Sequence, residues 1–236
     1  MIPAMPSARK PSNYSLLFTY VLPYFLYVAA LSIPERLVSK PWAYGVAIAS
    51  SGAALAWGWR WYVPLRGPRS PVVSVLVGLG AGVLGTLLWV VLKQPFFASG
   101  GPPWTPAAFW MRVAASSTVV ALFEELLFRG LVLRGAVQWD EARRSGAPDP
   151  LGEALHERSA FDVAPGAWTP RAVAVSTIAF AAGHRPGEWP AALVYGLLMA
   201  GLWGRRGDLL GCVVAHGTTN LTLALWVHHT GQWSLW

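Results

Sequence analysis

Residues 113–134 read VAASSTVVALFEELLFRGLVLR. At 1.5 Å per helical residue the run is long enough to cross a hydrocarbon core of roughly 30 Å. It nevertheless carries Glu124, Glu125 and Arg129. An ionisable side chain inside a span is expensive and marks function unless it is paired. Glu125 and Arg129 stand at i and i+4, on one helix face, and can pair. Glu124 points about 100° away, which leaves a carboxylate suited to general-base work.

Working outward, six more apolar runs surround this one: 14–33, 42–63, 72–92, 170–184, 190–204 and 209–228. They predict an all-α, polytopic transmembrane bundle of about seven spans (six to eight), a single membrane-embedded domain over 1–236. The composition agrees: 54% of residues are apolar and only 12% charged, about half the share of a soluble domain. The net charge of +7 lies between the runs and forms no continuous stripe, so nucleic acid is not expected as a partner. Cys212, the single cysteine, can form no intrachain disulfide and is expected to be buried. In the third run Ser74, Gly78 and Gly82 recur every four residues, a stripe that would let a second helix approach closely. With an inside N-terminus, Arg36, Lys40, Lys93, Arg112 and Arg185 lie outside and the other thirteen basic residues inside, the asymmetry of a cytoplasmic N-terminus. The polar segment 138–169 reads as a cytoplasmic loop, with a short surface helix near 151–161 and a solvated His156.

Two further runs carry polar groups. One ends Phe180-Ala181-Ala182-Gly183-His184, and the last contains His216-Gly217-Thr218-Thr219-Asn220. Counted from the span ends, Glu124, His184 and His216 lie roughly 17, 21 and 11 Å deep, all near the middle third of the core. Three helices have no reason to place polar groups at matching depth unless the groups meet. His216 and Asn220, at i and i+4, face one cavity and can donate hydrogen bonds to a developing oxyanion.

At these residues the chain resembles the CPBP intramembrane proteases, which include the type II CAAX prenyl endopeptidases and bacteriocin-processing, ABI-type proteins. Their marks, in order, are Glu-Glu-x-x-x-Arg, Phe-x-x-x-His and His-x-x-x-Asn/Asp. Here they stand as Glu124-Glu125-x-x-x-Arg129, Phe180-x-x-x-His184 and His216-x-x-x-Asn220. The resemblance covers the C-terminal half and implies endoproteolysis within the membrane. Carried over by position, Glu124 and His184 activate a water, and His216 and Asn220 hold the oxyanion. Glu125, Arg129 and Phe180 support them. The long 138–169 segment departs from the pattern.

No cofactor is expected. The alternative is a zinc protease with Glu124, His184 and His216 as ligands, although no His-Glu-x-x-His helix is present. A second alternative is a non-catalytic membrane immunity or interaction protein. The expected partners are the bilayer and a peptide substrate with a membrane-associated C-terminal tail or leader. The Ala-, Gly-, Arg- and Trp-rich composition points to a bacterial inner membrane, which ranks such a tail above a prenylated one.

Overall fold

The computed structural model describes residues 10–96 and 102–236, and no strand occurs among them. Each apolar run becomes one helix. The first three are α1 (Asn13–Leu31), α2 (Lys40–Gly58) and α3 (Pro71–Lys93). Helix α4 runs unbroken over 106–144, but two π-helical turns, Ser116–Val120 and Leu126–Val132, bracket its short central α segment, Ala121–Glu125. Then follow α5 (Pro170–Ala182), α6 (Trp189–Arg206) and α7 (Leu209–Thr230). By length and composition α1, α3 and α7 can cross a membrane, and α5 is a shorter apolar helix.

Local chemistry sets the helix ends. Ser12, Thr105, Thr169 and Asp208 each accept the backbone N–H three residues on, satisfying a donor that has no partner within the helix. Pro106 and Pro170 follow two of these caps, where the missing N–H costs nothing. Gly207 takes a left-handed conformation (φ +67°), so α6 stops and α7 begins after a two-residue turn.

The bundle is packed inside-out on α3. Its outer face carries exposed Leu76, Val83 and Leu87, while Ser74, Gly78, Gly82 and Gly85 are buried. The small stripe meets α7. A Cβ on Gly82 would lie 2.6 Å from the Ala215 carbonyl oxygen, and one on Gly78 would lie 2.8 Å from that of Gly211. Only glycine permits this approach, which is the close contact the four-residue spacing predicts. Thr219 closes the seam by donating to the Gly82 carbonyl at 2.9 Å. Cys212 is buried, as expected.

The segment 138–169, read in the sequence as a loop with a short helix near 151–161, is folded along much of its length. Helix α4 continues to Arg144, and the rest folds as a helical turn over 150–157 and a 3-10 turn, Ala160–Asp162. The polar residues that look loop-like find buried partners far away in the chain. Gln138 accepts from Asn13 at 2.7 Å and donates to the Ser159 carbonyl at 2.8 Å. Arg134 donates to the Ala160 carbonyl at 3.0 Å and lies over the Trp203 indole. Asp140, almost fully buried, takes contacts from Arg143, Arg144 and Arg171. Burial acts against its charge. Hydrogen bonds from Thr169, Arg171 and Arg143, with Arg144 nearby, outweigh that effect and hold the carboxyl below its usual range. His156 is exposed and packs on the Tyr14 ring. Arg9, one of the basic residues assigned to the inside, lies outside the described residues.

Candidate active site

The three polar motifs meet in one cavity of about 190 Å³, lined among others by Glu124, Phe180, His184, His216 and Asn220. Glu124 and Glu125 sit on the α segment between the two π turns of α4. Glu125 and Arg129 are fully buried and paired at 3.1 Å, and Arg129 also donates to the Gly196 carbonyl at 3.3 Å. The Arg129 guanidinium stands 5.0 Å from the centroid of Phe180. Phe180 in turn packs edge-on against Phe128 and tilts against His184, 4.7 Å between centroids.

The pairing is richer than the i,i+4 rule alone provides. The Glu125 oxygen that meets Arg129 also meets His216 Nδ1, at 2.8 Å. His216 Nε2 lies 3.8 Å from Glu124. His216 therefore stands between the two carboxylates, fixed by Glu125 through Nδ1, with Nε2 on the Glu124 side. An ionised Glu125 can only accept, so the Nδ1 proton belongs to His216. The Glu125–Arg129 pair that the i,i+4 spacing predicts is thus joined by His216, because the packing of α7 against α4 brings the imidazole onto the same carboxylate.

His184 is fixed in a parallel way. Its Nδ1 lies 3.0 Å from the Phe180 carbonyl, which can only accept, so Nδ1 carries the proton and Nε2 keeps its lone pair. Asn220 is partly committed: its amide donates to the Ser116 carbonyl at 2.8 Å. That carbonyl belongs to the π turn, where the hydrogen-bond ladder is interrupted. Gly217, one turn before Asn220, makes room for the same turn: a Cβ there would lie 2.6 Å from the Ser117 carbonyl oxygen. One N–H of the Asn220 amide thus holds the π turn, and the second is left for the cavity.

Several lining residues escape a motif reading. Tyr195 packs edge-on against His216 and donates to Thr219 at 3.2 Å. Trp89 lies against His184. Lys93 pairs with Glu188 at 2.6 Å and donates to the Leu235 carbonyl at 2.9 Å. Tyr27, Arg112 and Trp236 complete the outer wall. A tyrosine or tryptophan at a span end is indistinguishable from an interfacial anchor in the sequence, so only the depth of the lone charges carried a signal. Among the described residues no three His, Cys, Asp or Glu groups stand together as a metal-binding set.

No curated protein and no solved structure matches the chain significantly. A family model, type II CAAX prenyl endopeptidase Rce1-like, matches residues 73–222. The match begins in α3 and ends two residues after Asn220, so it takes in all three motifs and the glycine seam as well. On that extent, the chain belongs to the Rce1-like family of type II CAAX prenyl endopeptidases.

Proposed function

We propose that this protein is an intramembrane endopeptidase that hydrolyses a peptide bond with a water held by Glu124 and His184. The observation that carries the reading is that Glu124, His184, His216 and Asn220 line one small cavity. Among the described residues Glu124 makes no ion pair shorter than its 3.8 Å approach to His216, so its carboxylate is available to take a proton from water. His184 presents an Nε2 lone pair, fixed by the Phe180 carbonyl on the other nitrogen. The Glu124–Glu125–Arg129 set carries a net charge of −1, which an imidazolium at His216 would balance. Its Nε2–H and the spare Asn220 N–H would then meet the tetrahedral oxyanion. Such donors act strongly in a site that excludes water.

The substrate is a peptide with a membrane-associated C-terminal tail or leader, ranked above a prenylated tail. The chain crosses the membrane about seven times with its N-terminus in the cytoplasm. The test is a comparison of protein termini in membrane and secreted fractions by mass spectrometry, with wild-type enzyme and Glu124→Gln. A shifted terminus confined to one class of protein names the substrate, and identical termini reject proteolysis. The water-activating set needs no metal. Purified enzyme should keep its rate after exhaustive chelation, and a loss restored by Zn²⁺ would assign Glu124, His184 and His216 to a metal mechanism.

A further inference from the structure

Glu124, His184, His216 and Asn220 account for the inner part of the cavity, but the outer part holds donors that those roles leave unused. Arg112 lines it from α4, its guanidinium stacked between the indoles of Trp104 and Trp236 at 4.8 and 4.9 Å. Among the described residues it makes no ion pair and no side-chain hydrogen bond. Stacking fixes the plane of the guanidinium and leaves its fork of N–H groups unmatched. Lys93 differs, since it is bonded to Glu188, a carboxylate that Arg112 feels through space without contacting it. Trp89 and Trp236 also line the cavity, and among the described residues their buried indole N–H groups have no acceptor. The outer wall thus combines one unmatched planar cation with two unmatched N–H groups. A carboxylate is the group that accepts from a guanidinium fork bidentately.

The backbone aligns this wall with the reacting end. Twelve residues of uninterrupted α-helix would turn Arg112 and Glu124 about 120° apart. The π turn Ser116–Val120 inserts one residue between them and cuts the offset to about 20°. Both side chains then line the same cavity. Along the helix axis they stand roughly 17 Å apart, and allowing for the reach of both side chains this spans an extended peptide of about three to five residues.

We propose that Arg112, assisted by Trp236 and Trp89, is a binding site for a carboxylate of the peptide substrate, about three to five residues from the bond that is cut. The proposal rests on the peptidase reading and adds a specificity-determining group to it. The carboxylate is either the C-terminal α-carboxylate or an acidic side chain near the end of the peptide.

Binding of three probes to the full-length protein in phosphatidylcholine liposomes tests it: dansyl-Ala-Leu-Ala-Leu as the free acid, the same peptide as C-terminal amide, and dansyl-Ala-Leu-Ala-Glu amide. The wild type should bind the free acid at least ten-fold more tightly than the amide. Arg112→Gln should abolish that ratio, Arg112→Lys should keep part of it, and Trp236→Phe, which removes the N–H but keeps the ring, should narrow it a few-fold. If the Glu-terminated amide binds as tightly as the free acid, a side-chain carboxylate is accepted. If it binds as weakly as the plain amide, the site reads the α-carboxylate. Equal binding of acid and amide by the wild type overturns the proposal. So does no binding of the acid at millimolar concentration, or an equal loss for both probes in Arg112→Gln, the mark of a merely structural arginine. Loss of the ratio when phosphatidylglycerol is added would assign the guanidinium to lipid headgroups and also overturns it. Thermal unfolding of Arg112→Gln separates misfolding from lost recognition. Binding is read without turnover, so a failure of Glu124 as catalyst is a distinct result from a failure of this site.

Discussion

Glu124 and Glu125 are adjacent in sequence, share the same π-bracketed segment of α4 and both face His216, but differ in burial and in how closely they are bonded. Glu125 is wholly buried and bonded to Arg129 and His216, whereas the ion-pair contact of Glu124 among the described residues is with the far nitrogen of His216 at 3.8 Å. Their substitutions should therefore fail differently. Glu124→Gln should lower turnover by about 10²–10⁴-fold, the range for loss of general-base catalysis, while thermal unfolding in detergent stays near wild type. Retained turnover would remove Glu124 from the mechanism. Arg129→Met leaves Glu125 as a buried, uncompensated charge and should cost about 3–5 kcal/mol, read as a large fall in unfolding temperature or in yield of folded protein. A folded, stable Arg129→Met would show that His216 alone neutralises Glu125. The sequence spacing shows the Glu125–Arg129 pair because both residues are on one helix. It does not show the bond from His216, which depends on how α7 is rotated against α4, a relation between segments 91 residues apart.

Among the elements, the α3–α7 seam and helix α4 show what a linear reading reaches and where it stops. The Ser74, Gly78 and Gly82 stripe is visible because small residues at four-residue spacing can do little else than admit a partner. Gly82→Leu should wedge the seam apart, since even a Cβ at that position would lie 2.6 Å from the Ala215 carbonyl. The expected cost is about 1–3 kcal/mol or more in unfolding, together with reduced turnover, because α7 carries His216 and Asn220. Wild-type behaviour of Gly82→Leu would show that the helices separate freely. The π turn Ser116–Val120, in contrast, leaves no mark in its own residues. It is held from outside, by Asn220 on its carbonyl and by the space at Gly217. The extension of α4 to Arg144 is hidden for the same reason, since Gln138 is matched by Asn13 and Ser159, and Asp140 by Arg171 as well as by its neighbours Arg143 and Arg144. That end also has a pH dependence. The Asp140 carboxyl is held below its usual range in the folded protein, so its contribution to stability is complete above the ordinary carboxylate value near 3.9. It is lost as pH falls through the depressed folded value. Asp140→Asn should remove this acid-sensitive component, giving unfolding temperatures that change less with pH below about 4 than those of the wild type. Parallel wild-type and mutant curves would show that Asp140 is not the acid-sensitive group.

Across the whole molecule, the candidate active-site cavity and the basic helix ends lie at opposite poles. The starts of α1, α3, α5 and α7 and the ends of α2, α4 and α6 form one pole. There Lys10 meets Asp162, the N–H of Leu210 meets the Leu65 carbonyl, and the folded 145–169 segment covers the helix ends. Arg60, Arg66, Arg69, Arg143, Arg144, Arg158, Arg171, Arg205 and Arg206 gather at that pole. The outer wall of the cavity is built from the other pole: Tyr27 late in α1, Trp89 and Lys93 late in α3, Arg112 early in α4, Glu188 before α6 and Trp236 after α7. If the basic pole faces the cytoplasm, as the positive-inside rule requires, the cavity opens on the extracytoplasmic side and receives peptides that have already been exported. Cysteine labelling reads this directly, since the native Cys212 is buried and gives little background. Ser145 and Thr230 are exposed, one at each pole. In intact bacterial cells a membrane-impermeant maleimide should label Thr230→Cys and not Ser145→Cys, with both labelled after the membrane is permeabilised. Labelling of Ser145→Cys alone in intact cells would reverse the orientation and turn the cavity, with its substrates, toward the cytoplasm.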